Sequence, residues 1–116
     1  MTETDPTALS AIDLAQAIAG RKLSSVEVMT AFLDRIDAIN PRVNAIVSRV
    51  PRETLLAEAA EKDRVLKASG PLGALHGLPM AVKDLEDVRG LPNTQGSPLF
   101  RETIAETDSI MVARMR

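Results

Sequence analysis

The placement of glycine and proline divides this sequence into two parts that differ in the secondary structure they favour. The stretch from Gly70 to Pro98 holds five of the six glycines and four of the seven prolines. Both residue types disfavour helices, since glycine loses the most backbone freedom on folding and proline lacks an amide hydrogen. The sequence therefore predicts helices before residue 70, and after it a short strand that enters a functional loop.

Three helices are predicted in the first part from their caps and their periodicity. Ser10 can cap the first helix, and Ser24 with Glu27 forms a capping box for the second. Asn40-Pro41 is predicted to end the second helix. The third is the richest in strong helix formers. The predicted spans are 11–19 for the first helix and 52–69 for the third, and the second runs from its cap at Ser24 to Asn40.

Two short apolar runs are predicted as strands, AIVSRV at 45–50 and PMAVKDLEDV at 79–88. A last helix is predicted after a cap at Thr107 or Asp108, with no stop signal before the C-terminus. Two strands alone leave backbone groups at their edges unpaired, so a sheet that begins in this chain needs further strands from outside it. The predicted fold class is α/β, with N-terminal helices followed by the first strands of a sheet that is incomplete in this chain.

Composition and charge exclude several functions. The net charge is −2, and the 14 basic residues lie scattered among 16 acidic ones, so neither nucleic acid nor a membrane surface is an expected partner. The absence of cysteine removes disulfides, thiolate metal sites and a cysteine nucleophile. The acidic start has no apolar core, so it predicts neither a signal peptide nor a membrane span, and a cytoplasmic protein is expected.

Lys83 is the candidate catalytic residue, because it is the only basic residue in the 79–88 run. Burial without a counter-ion disfavours the charged form of a lysine, and a neutral buried amine can accept a proton. The alternative is a lysine that extends its amine to solvent past an apolar stem. The residues around Lys83 leave both alternatives open.

Other polar residues in the same region are interpreted as structural. His76, the only histidine, is predicted to be a loop residue with a backbone hydrogen bond, and Ser97 a turn former. Asp84, Glu86 and Asp87 are predicted to be solvated, since a cation site also needs carbonyls or further carboxylates. The glycines match no phosphate-binding spacing, so no metal and no cofactor are expected.

The ordered pattern GPLGALHGLPMAVKD at 70–84, a glycine at 90 and T-x-G-S at 94–97 resembles the amidase-signature family. The resemblance extends upstream over 23–47 and downstream over 107–116. Leu85 departs from the asparagine frequent there, and Asn93 replaces the first of two threonines. These departures, with Ser97, make the chain less similar to the A subunit of a glutamine-dependent amidotransferase than to a general bacterial amidase.

This resemblance implies an amide hydrolase, without metal or cofactor, that converts a small-molecule carboxylic amide to a carboxylate and ammonia or an amine. It implies a serine nucleophile, a second serine in a cis peptide, and Lys83 as the catalytic lysine of a Ser-cisSer-Lys mechanism. No glycine- and serine-rich motif that would carry both serines occurs here. Residues 1–116 are therefore interpreted as the N-terminal portion of a single amidase-signature domain with a mixed sheet, inactive alone.

Three alternatives remain open from the sequence. The parent protein is a general amidase or the A subunit of an amidotransferase, or else the chain is a non-catalytic split or truncated piece that binds its complement. The expected partner, besides substrate, is either a second copy of the chain or the missing C-terminal portion.

Overall fold

The computed structural model describes residues 5–116, and its regular secondary structure is helical. The helices are α1 (Ala11–Ala19), α2 (Ser25–Val43), α3 (Arg52–Ser69) and α4 (Ile110–Met115), with 3₁₀ turns at Pro6–Ala8 and Pro98–Phe100. The described chain forms two compact units. The first unit consists of residues 5–47 and 51–79 and contains α1 to α3, and the second consists of 48–50 and 80–116 and contains α4.

Side-chain caps begin α1 and α2, which confirms the predicted starts. Ser10 Oγ accepts a hydrogen bond from the Asp13 amide at 3.1 Å. At α2 the two bonds of the capping box are both present, one from the Glu27 amide to Ser24 Oγ at 3.1 Å and one from the Ser24 amide to Glu27 Oε2 at 2.8 Å. The bond from the Ser24 amide lowers the pKa of the Glu27 carboxyl, because it favours the charged form.

The predicted bounds of α1 and α3 are confirmed, but the prediction that Asn40-Pro41 ends α2 is wrong by about one turn. The helix continues to Val43 with Pro41 in its last turn. It ends where Asn44 adopts a left-handed φ of 48° and donates its amide to the Asn40 carbonyl at 2.7 Å. Proline removes one amide donor, and so close to the helix end that loss does not stop the chain from completing a further turn.

The core of the first unit joins α1, α2 and α3. Leu14, Ile18, Val28 and Leu66 are buried together. Partly buried apolar residues surround them, namely Leu9, Leu23, Phe32 and Leu78. Burying an aliphatic side chain contributes about 1.5–3 kcal/mol, so this small cluster supplies much of the unit's stability.

Polar side chains fasten neighbouring segments to α3. Asp63 accepts hydrogen bonds from the amides of Ser25 and Val26, at 2.7 and 3.2 Å. These are the first two amides of α2, which have no acceptor within their own helix. Arg21 Nη2 donates to the Leu66 carbonyl at 3.1 Å near the C-terminus of α3, where a cation is favourable. Charged side chains of this unit therefore satisfy helix ends.

Neither predicted strand is present within residues 5–116, where the β-pairing is an isolated bridge between Pro92 and Ile104. In the 45–50 segment, the amides of Ala45 and Ile46 donate to Asn40 Oδ1 at 3.0 and 2.9 Å. β-Branched residues fit a sheet, but a strand also needs a neighbouring strand to take its amides. Here the Asn40 side chain takes them.

The 79–88 run also differs from the prediction, because the chain turns directly after Lys83. The Lys83 carbonyl accepts hydrogen bonds from the amides of Leu85 and Glu86, at 2.7 and 3.0 Å. A carbonyl engaged in a local turn is not available to a ladder, so the run does not form a single strand.

The prediction of Thr107 or Asp108 as the cap of the last helix is wrong by one or two residues. The Ser109 hydroxyl caps α4. Asp108 instead accepts a hydrogen bond from the Arg89 amide at 2.8 Å and forms an ion pair with Arg116 at 2.9 Å. The tertiary partners of Asp108 outweigh its local capping preference.

We predict that Asp63→Ala lowers the free energy of unfolding of the first unit by about 1–3 kcal/mol, because two amides at the start of α2 lose a charged acceptor. Urea denaturation followed by far-UV circular dichroism measures the change.

Glu61→Ala is the matched control on the same helix. Glu61 pairs with Arg64 at 2.6 Å in an exposed position, so its removal should change stability by less than about 1 kcal/mol. Equal losses in the two variants would show that Asp63 does not anchor α2.

Candidate functional site

Lys83 lies in the second unit, immediately before the turn formed by residues 84–86. Its side chain is exposed in the described chain, whereas those of Val82 and Asp84 on either side are half-buried. Side chains therefore alternate in exposure around Lys83, with the lysine on the open side. Its catalytic role remains a prediction, as does the burial that a neutral amine would need.

Asp84, the next residue, binds Thr94 through both carboxylate oxygens. The Thr94 amide donates to Oδ1 at 2.7 Å, and the Thr94 hydroxyl donates to Oδ2 in a short hydrogen bond. The hydroxyl bond, followed by the amide bond, lowers the pKa of the Asp84 carboxyl, because both favour the carboxylate. The expectation that Asp84 is merely solvated is therefore wrong.

A second acidic residue, directly after that turn, has a partner next to Thr94. Asn93 Nδ2 donates to Asp87 Oδ1 at 2.6 Å, and the Asp87 carbonyl accepts from the Ser109 amide at 2.9 Å. Asn93 is buried, with 7% of its surface exposed. Its side-chain oxygen Oδ1 has no hydrogen-bond partner within residues 5–116. The sequence identified Asn93 only as a departure from the family pattern, and nothing in the local sequence pairs it with Asp87.

Residues 94–97 form a compact turn. The Ser97 amide donates to the Thr94 carbonyl at 2.9 Å, and the Gly96 amide donates to Thr94 Oγ1 at 3.2 Å. Gly96 has a φ of 69°, a left-handed conformation that glycine adopts without strain. Ser97 Oγ accepts from the Leu99 amide at 3.3 Å and caps the following 3₁₀ turn. The structural interpretation of Ser97 is confirmed.

His76 belongs to the first unit, and its predicted backbone hydrogen bond is confirmed. Nε2 lies 2.9 Å from the Lys62 carbonyl, and Nδ1 accepts from the Leu72 amide at 3.3 Å. A neutral imidazole with its proton on Nε2 satisfies both contacts. With 8% of its surface exposed, His76 joins α3 to the loop that follows it.

The acidic residues after Lys83 do not form a metal site in the part of the chain that the structure describes. Residues 5–116 contain no group of three or more histidine, aspartate or glutamate side chains placed to hold a metal ion. Asp84 and Asp87 are instead engaged by Thr94 and Asn93. Among the helices of the same residues, none has the length and apolar character that crossing a membrane requires.

The family of this chain follows from its sequence match. The Amidase family profile matches residues 27–116, which include Lys83, the acidic turn and the T-x-G-S segment. Because the match covers most of the chain, this chain belongs to the Amidase family, and the predicted resemblance is confirmed.

Individual relatives carry several activities in their names. The chain is 41% identical to an acylamidase of Rhodococcus erythropolis over 116 residues, 100% of this chain and 24% of that relative. It is 42% identical to an indoleacetamide hydrolase of Bradyrhizobium diazoefficiens, over 92% of this chain and 20% of the relative. It is also 42% identical to the A subunit of the glutamyl-tRNA(Gln) amidotransferase of Salinispora tropica, over 97% of this chain and 23% of the relative. The chain thus spans less than a quarter of the length of these relatives.

We predict that the contact between Asp84 and Thr94 persists at neutral pH and is lost in acid. The Asp84 pKa is lowered on folding, so the contact contributes to stability above the ordinary aspartate value of 3.8. That contribution disappears as the pH falls through the still lower pKa of the folded state. The Thr94 amide chemical shift in a pH titration by nuclear magnetic resonance should therefore change at a midpoint below 3.8.

Asp84→Asn is the control for this titration, because an amide does not ionise in this range. The same transition in the Asp84→Asn variant, or a wild-type midpoint above 3.8, would contradict the assignment.

Proposed function

We propose that this chain supplies the catalytic lysine of an amide hydrolase, which converts a small-molecule carboxylic amide into a carboxylate and ammonia or an amine. The observation that carries the proposal is the family match across Lys83 and its flanking motif. An acylamidase and an indoleacetamide hydrolase among the relatives support the same reaction class.

In the proposed reaction Lys83 is the final proton acceptor in a relay of three groups. A serine attacks the amide carbonyl and passes its proton to a second serine in a cis peptide, and that serine's proton goes to the Lys83 amine. When the carbon–nitrogen bond breaks, a proton returns along the relay to the leaving nitrogen, and the serine stays acylated. Water, deprotonated through the same relay, then attacks the acyl group and releases the carboxylate and the free serine. No glycine- and serine-rich motif occurs within residues 1–116, so the proposal places both serines in further protein sequence.

We further propose that residues 1–116 are the N-terminal portion of a single domain, whose mixed sheet forms only together with further protein sequence. Exposed apolar side chains in the second unit support contact with further protein. The clearest are Leu85, Leu99, Ile104 and Ile110, with exposures of 53%, 88%, 53% and 77%. In the proposed domain, packing would also bury Lys83 and favour its neutral form.

A second candidate function is that of the A subunit in an amidotransferase, since several relatives carry the name of the A subunit of glutamyl-tRNA(Gln) amidotransferase. Leu85, Asn93 and Ser97 depart from that pattern and favour the general amidase. The two functions differ in whether partner subunits are required, because a general amidase hydrolyses simple amides without them.

The Lys83 prediction is tested in a chimera in which this chain replaces the matching segment of the Rhodococcus erythropolis acylamidase. Lys83→Ala should lower kcat by about 10²–10⁴-fold with little change in KM, because proton transfer is exercised in the transition state. Lys83→Arg should not restore activity, since guanidinium does not release its proton at neutral pH. Steady-state kinetics on simple aliphatic and aromatic amides measure both effects.

Lys67→Ala is the matched control, because Lys67 is an exposed lysine on α3 in the other unit. It should leave kcat within about twofold. A folded chimera that hydrolyses no amide, or a Lys83→Arg variant with near-normal kcat, would overturn the proposed function.

We also predict that the isolated chain associates with itself through the second unit. Analytical ultracentrifugation should show a sedimentation coefficient that rises with concentration, because large apolar side chains there are exposed. Replacing both Leu99 and Ile110 by serine should shift the chain towards monomer. Val43→Ser, at a position 60% exposed on α2, should not. A wild-type chain that remains monomeric at all concentrations would contradict this prediction.

A further inference from the structure

The position of the Lys83 amine depends on how firmly its backbone is held. A lysine side chain has four rotatable carbon–carbon bonds, and proton transfer requires the two heavy atoms within about 3 Å. The side chain is exposed in the described chain, so its own packing does not fix it. Within residues 5–116, the contacts that restrain Lys83 therefore act on the segment next to it.

Hydrogen bonds restrain the segment after Lys83 at two of its side chains. The Asp84 carboxylate accepts hydrogen bonds from the amide and the hydroxyl of Thr94. The Asp87 carboxylate accepts one from the side-chain amide of Asn93 at 2.6 Å. The dipeptide Asn93-Thr94 thus binds two of the three carboxylates in residues 84–87. Because the two contacts lie three residues apart, rotation of the turn about either one would break the other.

The dipeptide that forms this grip is itself anchored. The Asn93 amide donates to the Thr103 carbonyl at 3.0 Å, beside the bridge between Pro92 and Ile104. Thr94 Oγ1 donates to Asp84 and accepts from the Gly96 amide at 3.2 Å, so its hydroxyl serves both segments. The residues that hold the turn after Lys83 are therefore themselves hydrogen-bonded to the segment around Thr103 and Ile104.

We propose that Asp84, Asp87, Asn93 and Thr94 form a clamp that positions Lys83 for proton transfer. The proposal rests on the proposed function, and the four members are positioning residues that act through the backbone. The lowered pKa of Asp84 agrees with this, because the hydrogen bonds from the Thr94 hydroxyl and amide favour its charged form. The clamp also gives a role to the two carboxylates close to Lys83 that accept hydrogen bonds from protein groups, those of Asp84 and Asp87.

The clamp is tested first by ¹⁵N relaxation at Lys83 and the residues of the turn, in the chain that carries Leu99→Ser and Ile110→Ser, so that self-association through the second unit does not restrict the backbone. This background, with its clamp intact, serves as the wild type. The wild type and Thr94→Ser, which retains the hydroxyl, should show order parameters near those of rigid backbone, about 0.85. Thr94→Val and Asp84→Asn should lower them towards about 0.6, because each removes a bond of the clamp. Glu106→Gln, an exposed change in the same unit, should have no effect. Unchanged order parameters in both clamp variants would overturn the proposal.

The second test uses the chimera with the Rhodococcus erythropolis acylamidase. Thr94→Val and Asp84→Asn should lower kcat by about 10–100-fold while KM changes little, and Thr94→Ser should restore most of the loss. A purely structural role would instead lower stability and active-enzyme concentration, with kcat per active site unchanged. Melting temperatures and active-site titration separate these outcomes.

The Lys83→Ala chimera distinguishes failure of this proposal from failure of the proposed function. Full loss of activity in Lys83→Ala with near-normal kcat in both clamp variants would reject the clamp and leave the lysine assignment standing. Activity retained by Lys83→Ala would reject the proposed function, and the clamp with it.

Discussion

The carboxylate of Asp63 is the interaction on which the first unit depends. It binds the first two amides of α2 from the side of α3, and thereby fixes where α2 begins relative to that helix. Within one further turn of α3, the Lys62 carbonyl binds His76 and the Leu66 carbonyl binds Arg21. These contacts of α3 thus hold the start of α2, the loop that contains Arg21 and the loop that contains His76. The apolar cluster of Ile18, Val28 and Leu66 packs between segments whose positions they define.

The second unit uses the same physical device with far less regular structure. There Asp84 accepts a backbone amide and a hydroxyl from Thr94, and Asp108 accepts the Arg89 amide. In a sheet or a long helix, backbone groups satisfy one another, but a segment rich in glycine and proline offers few such partners. Carboxylates therefore add to the few backbone hydrogen bonds that join distant segments there, such as those from the Gly90 and Asn93 amides to the Ala105 and Thr103 carbonyls. These acidic side chains stabilise the unit, although their sequence pattern alone suggests solvated charges or a metal site.

What could be predicted from the sequence depended on the range of the interactions involved. Ser10, Ser24 and Gly70 act on residues at most four positions away, and α1 and α3 have their predicted bounds. Strands need partners distant in the sequence, and AIVSRV shows that β-branched composition cannot supply one. The link between Asp84 and Thr94 spans ten residues, so no periodicity or capping rule could have revealed it. The family resemblance, by contrast, used many fixed positions at once and needed none of these contacts.

Asn93 shows how a departure from the family pattern acquires a physical meaning. At a position where the resemblance leads one to expect threonine, the asparagine amide donates to Asp87. Threonine would bring a shorter side chain, with a hydroxyl and a methyl group and no amide carbonyl. Asparagine leaves a carbonyl oxygen instead, and within residues 5–116 that buried oxygen has no partner. An unmatched buried acceptor costs about 1–3 kcal/mol, so a donor from water or from further protein would be bound favourably at this point. Asn93 therefore both holds Asp87 next to the lysine turn and offers a buried polar acceptor that threonine would lack.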